Sequence, residues 1–464
     1  MPVWVTRLDT VRWLAWIVGL IAAEATSAQV RPVWVQEGNR NVAYFGSSVA
    51  SAGDVNGDGY DDVVVCAPGF ADDQPQEGRA YLFLGTRFGP EKLPSWTFES
   101  DQAFAPIRQA AGVGDVNGDG YDDVVVGNDA WSNDQYLEGR ALLFLGSANG
   151  LLQSPAWTAE GNEQAAYFGI GAPAGDVNGD GFDDVVVSAL LGDVNHVPQS
   201  EGAAFVYLGS PTGLSSSPIW SAFGNQRDCG FGTARSAGDV NCDGYDDLLV
   251  SASHFNGGMV GEGRVNLYLG SPCGPSPTAD WIMEGNQRFA AFGSTLSGAG
   301  DVNGDGYDDV LIGAWGYDGP LVFGVEGAAY LYLGSANGLG PTPAWTATGT
   351  QADELFGCVA GAGDIDGDGY DDVLIGAPGF DERRREEGRA CVYYGAASGP
   401  LLRRGWCLEG DQRQAELGRA LDAAGDVDGD GFADVILGAS LFDNGQRNEG
   451  RAWVFLGASR HRSK

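Results

Sequence analysis

Beyond its first 28 residues, the chain carries its apolar residues in short runs of four to six, bounded by glycine and other turn-forming residues. The runs around residues 63–65 and 435–437 are typical and consist mainly of β-branched side chains. Runs of this length and composition are typical of β-strands rather than helices. Helical periodicity longer than one turn does not occur in this part of the chain. The pattern therefore predicts an all-β protein.

The apolar runs belong to a unit that recurs seven times, about 61 to 63 residues apart. Its marker is an acidic phrase of nine residues, which reads Asp-Val-Asn-Gly-Asp-Gly-Tyr-Asp-Asp at residues 54–62. A Phe-Gly pair or a variant of it precedes the phrase. Two apolar runs, a glycine-rich turn and a tryptophan follow it. Such a unit contains about four antiparallel strands, the content of one propeller blade. We therefore predict a seven-bladed β-propeller of four-stranded antiparallel blades over residues 29–459.

The tryptophans indicate how the ring closes. One stands near the end of each unit, at Trp34, Trp96, Trp157, Trp220, Trp281, Trp345 and Trp406. The first precedes the first acidic phrase, and none follows the last apolar run, at residues 453–457. We therefore expect the strand at Trp34 to complete the last blade, which removes two exposed sheet edges. We interpret the tryptophans as structural side chains packed between blades.

The N-terminus differs from the repeats. Arg7 and Arg12 precede an unbroken apolar run at residues 13–23, and small residues end at Ala28. This order predicts a secretory signal peptide over residues 1–28 and a secreted or extracytoplasmic protein. The run is shorter than the ~20 residues that a membrane-spanning helix needs, and no later run is long enough. Residues 460–464 form a short basic tail.

Charge and composition narrow the function. The chain has 63 acidic and 26 basic residues, a formal charge of -37, and only three histidines. Such a surface repels nucleic acids and anionic lipids and attracts cations. Few histidines leave little scope for histidine-based catalysis or zinc binding. We therefore expect no nucleic-acid partner and no membrane span.

The acidic phrase has the composition of a calcium loop. Positions 1, 5 and 9 are aspartate in all seven copies, position 3 is asparagine or aspartate, and position 6 is glycine. Calcium takes six to eight oxygen ligands in flexible geometry, and glycine permits the sharp turn. Positions 1, 3, 5 and 9 would supply side-chain oxygens, and the aromatic residue at position 7 its backbone carbonyl. Position 8 is Ala433 in the last copy, so position 9 is the better ligand candidate.

The predicted sites hold up to seven calcium ions. The candidate ligands are Asp54, Asn56, Asp58, Tyr60 and Asp62; Asp115, Asn117, Asp119, Tyr121 and Asp123; Asp176, Asn178, Asp180, Phe182 and Asp184; Asp239, Asn241, Asp243, Tyr245 and Asp247; Asp301, Asn303, Asp305, Tyr307 and Asp309; Asp364, Asp366, Asp368, Tyr370 and Asp372; and Asp426, Asp428, Asp430, Phe432 and Asp434. The alternative is that these residues only form Asx-turns. Magnesium is disfavoured because it demands strict octahedral geometry.

These motifs resemble a known family. A Phe-Gly pair, Gly-Asp-Val-Asn-Gly-Asp-Gly-Tyr-Asp-Asp and a Gly-Ala-Pro element, as at residues 376–378, resemble the FG-GAP repeat of integrin alpha N-terminal domains. The resemblance covers about residues 30–457. It implies a seven-bladed propeller with calcium in the loops between the first two strands of its blades. It also implies ligand binding on the opposite face. No inserted adhesion domain or leg domains are recognised, so we expect a secreted single propeller.

The face opposite the acidic loops would carry the loops between strands 2 and 3 of each blade, which vary most in length. Aromatic and arginine side chains on such loops are typical binding anchors. The candidates are Phe70, Trp131, Tyr136, Phe255, Trp315, Tyr317 and Phe380, accompanied by His196 and the arginines at 383–385. The alternative is that these rings fill the rim and the arginines are merely solvated.

The predicted function is a non-catalytic, calcium-binding protein-binding or adhesion module. A glycan-binding propeller with one sugar site per blade cleft is the alternative. A polysaccharide-degrading enzyme ranks below both, because paired aspartates are present without a recognisable catalytic motif. For the seven cysteines we suggest the disulfides Cys242–Cys273, on one face of one blade, and Cys391–Cys407, on neighbouring strands.

Overall fold

The computed structural model describes residues 31–190, 201–319, 324–397 and 403–459. The predicted signal peptide, His196 and the basic tail lie outside these residues. The described part folds into seven antiparallel sheets of four strands each. Within it, no helix is long and apolar enough to cross a membrane.

Each blade is built from four strands that follow one another in the chain, except the last blade. Blades 1 and 2 contain β2 (Ser48–Gly53), β3 (Asp62–Ala67), β4 (Arg79–Phe83), β5 (Trp96–Glu99), β6 (Gln109–Gly112), β7 (Val124–Asn128), β8 (Arg140–Phe144) and β9 (Trp157–Glu160). Blades 3 and 4 contain β10 (Phe168–Gly175), β11 (Asp184–Ala189), β12 (Ala203–Tyr207), β13 (Trp220–Phe223), β14 (Phe231–Gly238), β15 (Asp247–Ala252), β16 (Arg264–Tyr268) and β17 (Trp281–Glu284). Blades 5 and 6 contain β18 (Thr295–Gly300), β19 (Asp309–Ala314), β20 (Ala328–Tyr332), β21 (Trp345–Thr348), β22 (Cys358–Gly363), β23 (Asp372–Ala377), β24 (Arg389–Tyr394) and β25 (Arg403–Glu409). Blade 7 contains β26 (Ala420–Gly425), β27 (Asp434–Ala439), β28 (Arg451–Phe455) and, from the other end of the chain, β1 (Trp34–Glu37).

The ring closes as the tryptophan pattern predicts. β1 pairs with β28 in antiparallel register, with Trp34 opposite Val454 and Glu37 opposite Arg451. The N-terminal strand is therefore the outer strand of the last blade. The prediction of a seven-bladed propeller closed by the Trp34 strand is confirmed.

The core lies between neighbouring blades, where the second strands are buried along their whole length. Each tryptophan packs on the next blade. The Trp96 indole meets the Phe144 ring edge-on at 4.9 Å and donates its Nε1–H to the carbonyl oxygen of Leu152 at 3.1 Å. Trp220 repeats this arrangement with Tyr268. The tryptophans thus have the structural role predicted for them. Five of them pair a large apolar contact with an indole N–H that donates to a backbone carbonyl: Trp34, Trp96, Trp157, Trp220 and Trp281.

Strand order sets the two faces of the ring. The acidic loops join strands 1 and 2 of each blade and share a face with the strand 3–4 turns, since Gly85 at the start of such a turn donates its N–H to Asp62 at 2.7 Å. The strand 2–3 loops and the connections between blades occupy the opposite face, which we call the distal face. Gln102 in one of those connections donates to the carbonyl of Ser132 in the next strand 2–3 loop, at 2.7 Å.

Candidate metal centres and partner surface

Position 1 of each acidic loop organises the backbone of the loop. In the first loop, Asp54 Oδ1 accepts the N–H groups of Gly57 and Asp58 at 2.7 and 3.1 Å, and Oδ2 accepts that of Gly59 at 2.8 Å. Gly59, at position 6, has a φ of 89°, a conformation that strongly favours glycine. These are the hydrogen bonds of an Asx-turn. They leave carboxylate lone pairs free, so they are compatible with an ion as well.

Position 9 is the most buried group of each loop. Asp62 has no solvent-exposed surface, and its two oxygens accept the N–H groups of Val55 at 3.1 Å and Gly85 at 2.7 Å. Burial, with a smaller contribution from the nearby charges of Asp54 and Asp58, raises the pKa of this carboxyl to about 8. The equivalent aspartates have pKa values raised to about 7 for the same reason: Asp123, Asp184, Asp247, Asp309, Asp372 and Asp434. A cation would oppose both effects.

Position 3 separates two kinds of loop. In five loops an asparagine amide donates to the position-5 carboxylate, as Asn56 does to Asp58 at 3.1 Å. The sixth and seventh loops have aspartate instead, which cannot donate when ionised. There the carboxylate oxygens of three aspartates lie within 4.8 Å of one another, in the sets Asp364, Asp366 and Asp368, and Asp426, Asp428 and Asp434.

Two side-chain oxygens at position 3 indicate whether a cation fits the acidic loops. Asn303 Oδ1 and Asp428 Oδ1 are buried and have no hydrogen-bond partner within the described ranges. A buried oxygen without a partner is costly unless something else satisfies it. Oxygen-only donor sets of this kind suit a hard cation such as calcium. The residues present therefore fit the ion that their pattern predicts.

Position 8 joins neighbouring blades. Asp122 Oδ2 accepts the N–H of Asp54 in the preceding loop at 2.8 Å, and Asp61 Oδ2 closes the ring by accepting that of Asp426 at 2.7 Å. Six of the seven loops make this contact, and Ala433 is the exception. Position 8 therefore points to the preceding blade, which explains why one loop can lack it.

Position 7 also has a role that the sequence did not reveal. The ring of Tyr121 packs on Gly57, at position 4 of the preceding loop, so closely that an added Cβ would lie 2.8 Å from Tyr121 Cε1. Tyr60 packs on Gly429 in the same way across the closure. The aromatic residue thus fixes the spacing of the loops and does more than offer a carbonyl. The sequence signal of this contact is the glycine at position 4 of six loops, which leaves room for the ring.

The structure contains one of the two suggested disulfides. Cys391 and Cys407 are bonded across β24 and β25. Cys242 and Cys273 are free and exposed, so that suggestion was wrong. Cys242 occupies position 4 of its loop, where the other loops direct a Cβ toward the following blade. The turn that carries Cys273 contacts the preceding blade instead, because Ser271 donates its N–H to the carbonyl of Val177 there.

The predicted partner residues fall into two groups. Phe70 and Phe380 are buried, with 2% and 5% of their surface exposed, so neither ring is available as a surface anchor. The reason is a repeated contact in which the arginine of Glu-Gly-Arg covers the aromatic ring, with Arg79 Cζ 3.6 Å from the Phe70 centroid and Arg389 Cζ 3.6 Å from that of Phe380.

The other partner residues are more accessible. Trp131 and Phe255 are half-buried beneath arginines at 3.4 and 3.5 Å, and Tyr317 packs edge-on against Tyr330. Tyr136 and Trp315 are exposed, at 65% and 40%. The arginines at 383–385 are exposed as well, as the solvated interpretation expects. A binding role for Tyr136 and Trp315 stays a prediction.

The glutamate of Glu-Gly-Arg has a buried structural role. Glu77 is fully buried, and its Oε1 accepts the N–H of Asp72 at 2.8 Å in the strand 2–3 loop. Glu138 and Glu262 do the same for Asn133 and Gly257. These three distal loops are thus folded over their own carboxylates, which hold them in a defined shape.

An exposed apolar patch lies on the distal face at blades 4 and 5, and we call it the distal patch. It comprises Met259, Val260, Phe289 and Trp315, with exposures of 47, 52, 57 and 40%. The loops that carry it are joined, because Phe289 donates its N–H to the Val260 carbonyl at 2.8 Å and Gly316 donates to Ala290 at 3.1 Å. Sequence reasoning identified only Trp315. The other three lie in two loops, with Met259 and Val260 in one and Phe289 in the other, which only the fold brings next to Trp315.

The structure combines a closed ring of blades, acidic loops between strands 1 and 2, and variable loops on the distal face. These features define the class of protein as a β-propeller with repeated oxygen-rich loops. Six segments match the FG-GAP repeat family, at residues 45–83, 108–141, 168–207, 292–332, 356–393 and 417–455. The chain belongs to this family. The fourth blade, whose acidic loop has Cys242 at position 4, is not among the matched segments.

Among curated proteins the chain is similar to integrin alpha chains. It is 32% identical to integrin alpha-5 of Xenopus laevis over 245 residues, which are 50% of this chain and 22% of that protein. It is 32% identical to integrin alpha-4 of Xenopus laevis over 217 residues (46% and 20%), and 30% identical to integrin alpha-V of Gallus gallus over 242 residues (50% and 22%). The chain thus spans about a fifth of the length of these relatives.

A solved structure supports the fold alone. The crystal structure of BBS1N in complex with ARL6DN, soaked with lead, superposes with a TM-score of 0.51 at 10% identity, and the match covers 93% of this chain and 99% of that one.

Proposed function

We propose that this protein is a calcium-stabilised propeller that binds a protein partner through the distal patch. In this role it is a non-catalytic adhesion or recognition module. The observation that carries the proposal is the joined, exposed patch of Met259, Val260, Phe289 and Trp315. Monomeric proteins seldom expose contiguous apolar side chains without a use for them, and aromatic residues dominate binding energy at interfaces. The family resemblance, which implies ligand binding on this face, agrees with it.

Calcium is proposed to act as a structural ion in the acidic loops. In each loop the side chains at positions 1, 3, 5 and 9 and the carbonyl of position 7 would hold it. Bound calcium supplies positive charge that offsets the repulsion between the carboxylates and the cost of burying position 9. Extracellular-type sites bind at about 10⁻⁴–10⁻³ M, so ~1 mM calcium adds about 0.4–1.4 kcal/mol for each site.

An extracytoplasmic location is proposed with it. The predicted signal peptide lies outside the described residues. The Cys391–Cys407 disulfide supports the proposal, because disulfides persist in oxidising compartments.

The partner surface is tested with matched variants on the two faces. Trp315→Ala and Phe289→Ala should reduce capture of the partner from the native extracellular fraction at least about tenfold, as expected for aromatic anchors. Phe88→Ala is the control, because Phe88 is 74% exposed but lies in a strand 3–4 turn on the acidic face. All three variants should keep the melting temperature of the parent protein. Equal loss of capture in all three, or in none, would contradict the proposal.

The glycan alternative has weaker support. Two clefts between blades have volumes of about 630 and 560 Å³. The first offers Glu160 and Tyr207 to a ligand, whereas the second offers Arg264, Asn266 and Tyr268. A sugar site repeated in each blade would require similar polar groups in equivalent clefts, and these differ in charge. The distal patch, which occurs at one place on the ring, favours a protein partner.

A further inference from the structure

The innermost strands place two charges inside the ring. The first strand of each blade has one equivalent position, three residues before the glycine that precedes the acidic loop. These positions are occupied by Ala50, Ala111, Ala172, Arg235, Ser297, Ala360 and Asp422. Five are small, and the two charged residues lie in blades 4 and 7, on well-separated parts of the ring.

Both charges line the same cavity on the axis. Its volume is about 440 Å³, and its other walls include Ser51, Ala111 and Ser297. Arg235 also lines an adjoining cavity of about 320 Å³. Arg108 and Arg419, in the connections on the distal face, line that second cavity, which gives the axial cavity a route to solvent. The combined volume lies within the ~300–1,000 Å³ of ordinary ligand sites.

The two side chains have few partners. A guanidinium has five N–H donors, and the only hydrogen bond of Arg235 within the described residues runs from Nη1 to the Ala234 carbonyl at 2.9 Å. Asp422 Oδ1 accepts the N–H of Ala423 at 3.0 Å, and Oδ2 has no protein donor there. The described ion pairs within 4.0 Å do not include one between them. Most donors of Arg235 and one oxygen of Asp422 are thus directed at cavity space.

Leaving both charges in this environment has a cost. Burial lowers the pKa of Arg235, and the charge of Asp422 partly offsets this. Burial raises the pKa of Asp422 to about 7, and Arg235 partly offsets that shift in turn. Charges removed from bulk water are favourable only when paired or hydrogen-bonded. A molecule between the two that is negative at one end and positive at the other would satisfy both.

We propose that the axial cavity binds a small zwitterion of the α-amino-acid type, with its carboxylate at Arg235 and its ammonium group at Asp422. A simple anion would pair with Arg235 but would be repelled by Asp422. A simple cation would pair with Asp422 but would be repelled by Arg235. The remaining walls are mainly alanine, glycine, serine and proline, with Val49, Gln109 and Asp308, and they leave room for a small side chain. The Asp308 carboxylate already accepts the N–H of Asp239 at 2.9 Å.

Calorimetry on the full chain in calcium-containing buffer tests this proposal. A panel of free L-amino acids is titrated singly, with acetate and methylammonium as probes of the two half-sites. We expect at least one amino acid to bind with a Kd of about 1 mM or tighter, and both half-site probes to bind at least about tenfold more weakly. Absence of binding by every amino acid at up to about 20 mM would overturn the proposal. Acetate binding as tightly as the amino acids would also overturn it, because the site would then be one for anions.

Substitutions of Arg235 and Asp422 test whether these two residues form the binding site. Arg235→Gln and Asp422→Asn should each weaken binding of the amino acid at least about tenfold, while Arg87→Gln, exposed in a strand 3–4 turn outside the cavity, should change it less than about threefold. If a single variant leaves one charge unpaired and does not fold, the double variant Arg235→Gln/Asp422→Asn removes both charges together. Amino-acid binding that survives in the folded double variant would refute the assignment.

Discussion

Removing calcium should destabilise the propeller far more at neutral pH than at mildly acidic pH. The perturbation acts on the position-9 aspartates, which have no solvent-exposed surface. In the ion-free protein, burial raises the pKa of Asp62 to about 8 and of the equivalent Asp434 to about 7, from an ordinary 3.8. At pH values between the ordinary pKa and the raised pKa, each of these carboxyl groups is protonated in the folded protein and ionised in the unfolded chain. Stability of the ion-free protein therefore falls as the pH rises from about 4 to about 7.

The size of the effect follows from the number of loops. Each such group changes the free energy of unfolding by at most about 1.4 kcal/mol per pH unit. Over two pH units, even two loops reach about 5 kcal/mol, the lower end of the stability of a whole domain. With calcium bound, the same carboxylates are held ionised. Protons then compete with the ion, so the stabilisation by calcium is largest at neutral pH and shrinks as the solution is acidified.

Thermal unfolding followed by circular dichroism measures this. Protein stripped of metal and protein in about 2 mM calcium are compared at about pH 5 and about pH 7.5. We expect the calcium-induced rise in Tm to be several-fold larger at the higher pH. We also expect the ion-free protein to have a lower Tm at pH 7.5 than at pH 5. An ion-free Tm that is unchanged or higher at pH 7.5 would refute the reasoning about position 9.

Three further predictions concern stability alone, each measured by chemical denaturation in calcium. Ala433→Asp should stabilise the protein by about 1 kcal/mol, because it supplies the missing acceptor for the N–H of Asp364, whereas Ala433→Leu should not; equal effects would contradict this. Cys391→Ser opens a disulfide spanning 16 residues and should cost about 3 kcal/mol, after which added reductant should have no further effect. Trp220→Phe removes an indole donor bonded to the next blade at 2.9 Å and should cost about 1–2 kcal/mol. The exposed Trp315→Phe is its control, and an equal loss there would refute the inter-blade role.

The acidic loops show how far sequence reasoning reached into the site. Asp54 and Asp62 were singled out as ligand candidates because their spacing is local and repeated, and the structure places both in the same loop. The role of Asp122 was not predictable in this way. Its hydrogen-bond partner is the backbone of Asp54, 68 residues earlier. No local pattern identifies a contact between one blade and the next.

The partner surface shows the limit more clearly. Phe70 and Trp315 stand in equivalent variable loops and look alike in sequence. In the structure, Arg79 covers Phe70, while Trp315 is exposed and joins a patch with Phe289. Exposure depends on which neighbouring side chain reaches the ring. In blade 5, Ala328 stands at the position of Arg79, and Trp315 precedes Tyr317, the residue equivalent to Phe70, by two positions.

By itself, the amino-acid sequence determined the strand content, the seven blades, their closure by the first strand and the positions of the acidic loops. Those properties repeat every 61 to 63 residues and depend on local pattern. Tertiary structure alone decided which aromatic rings reach solvent, how each loop is tied to the preceding blade, and that Arg235 and Asp422 share one cavity. These features depend on contacts between residues far apart in the chain, which exist only once the ring has closed.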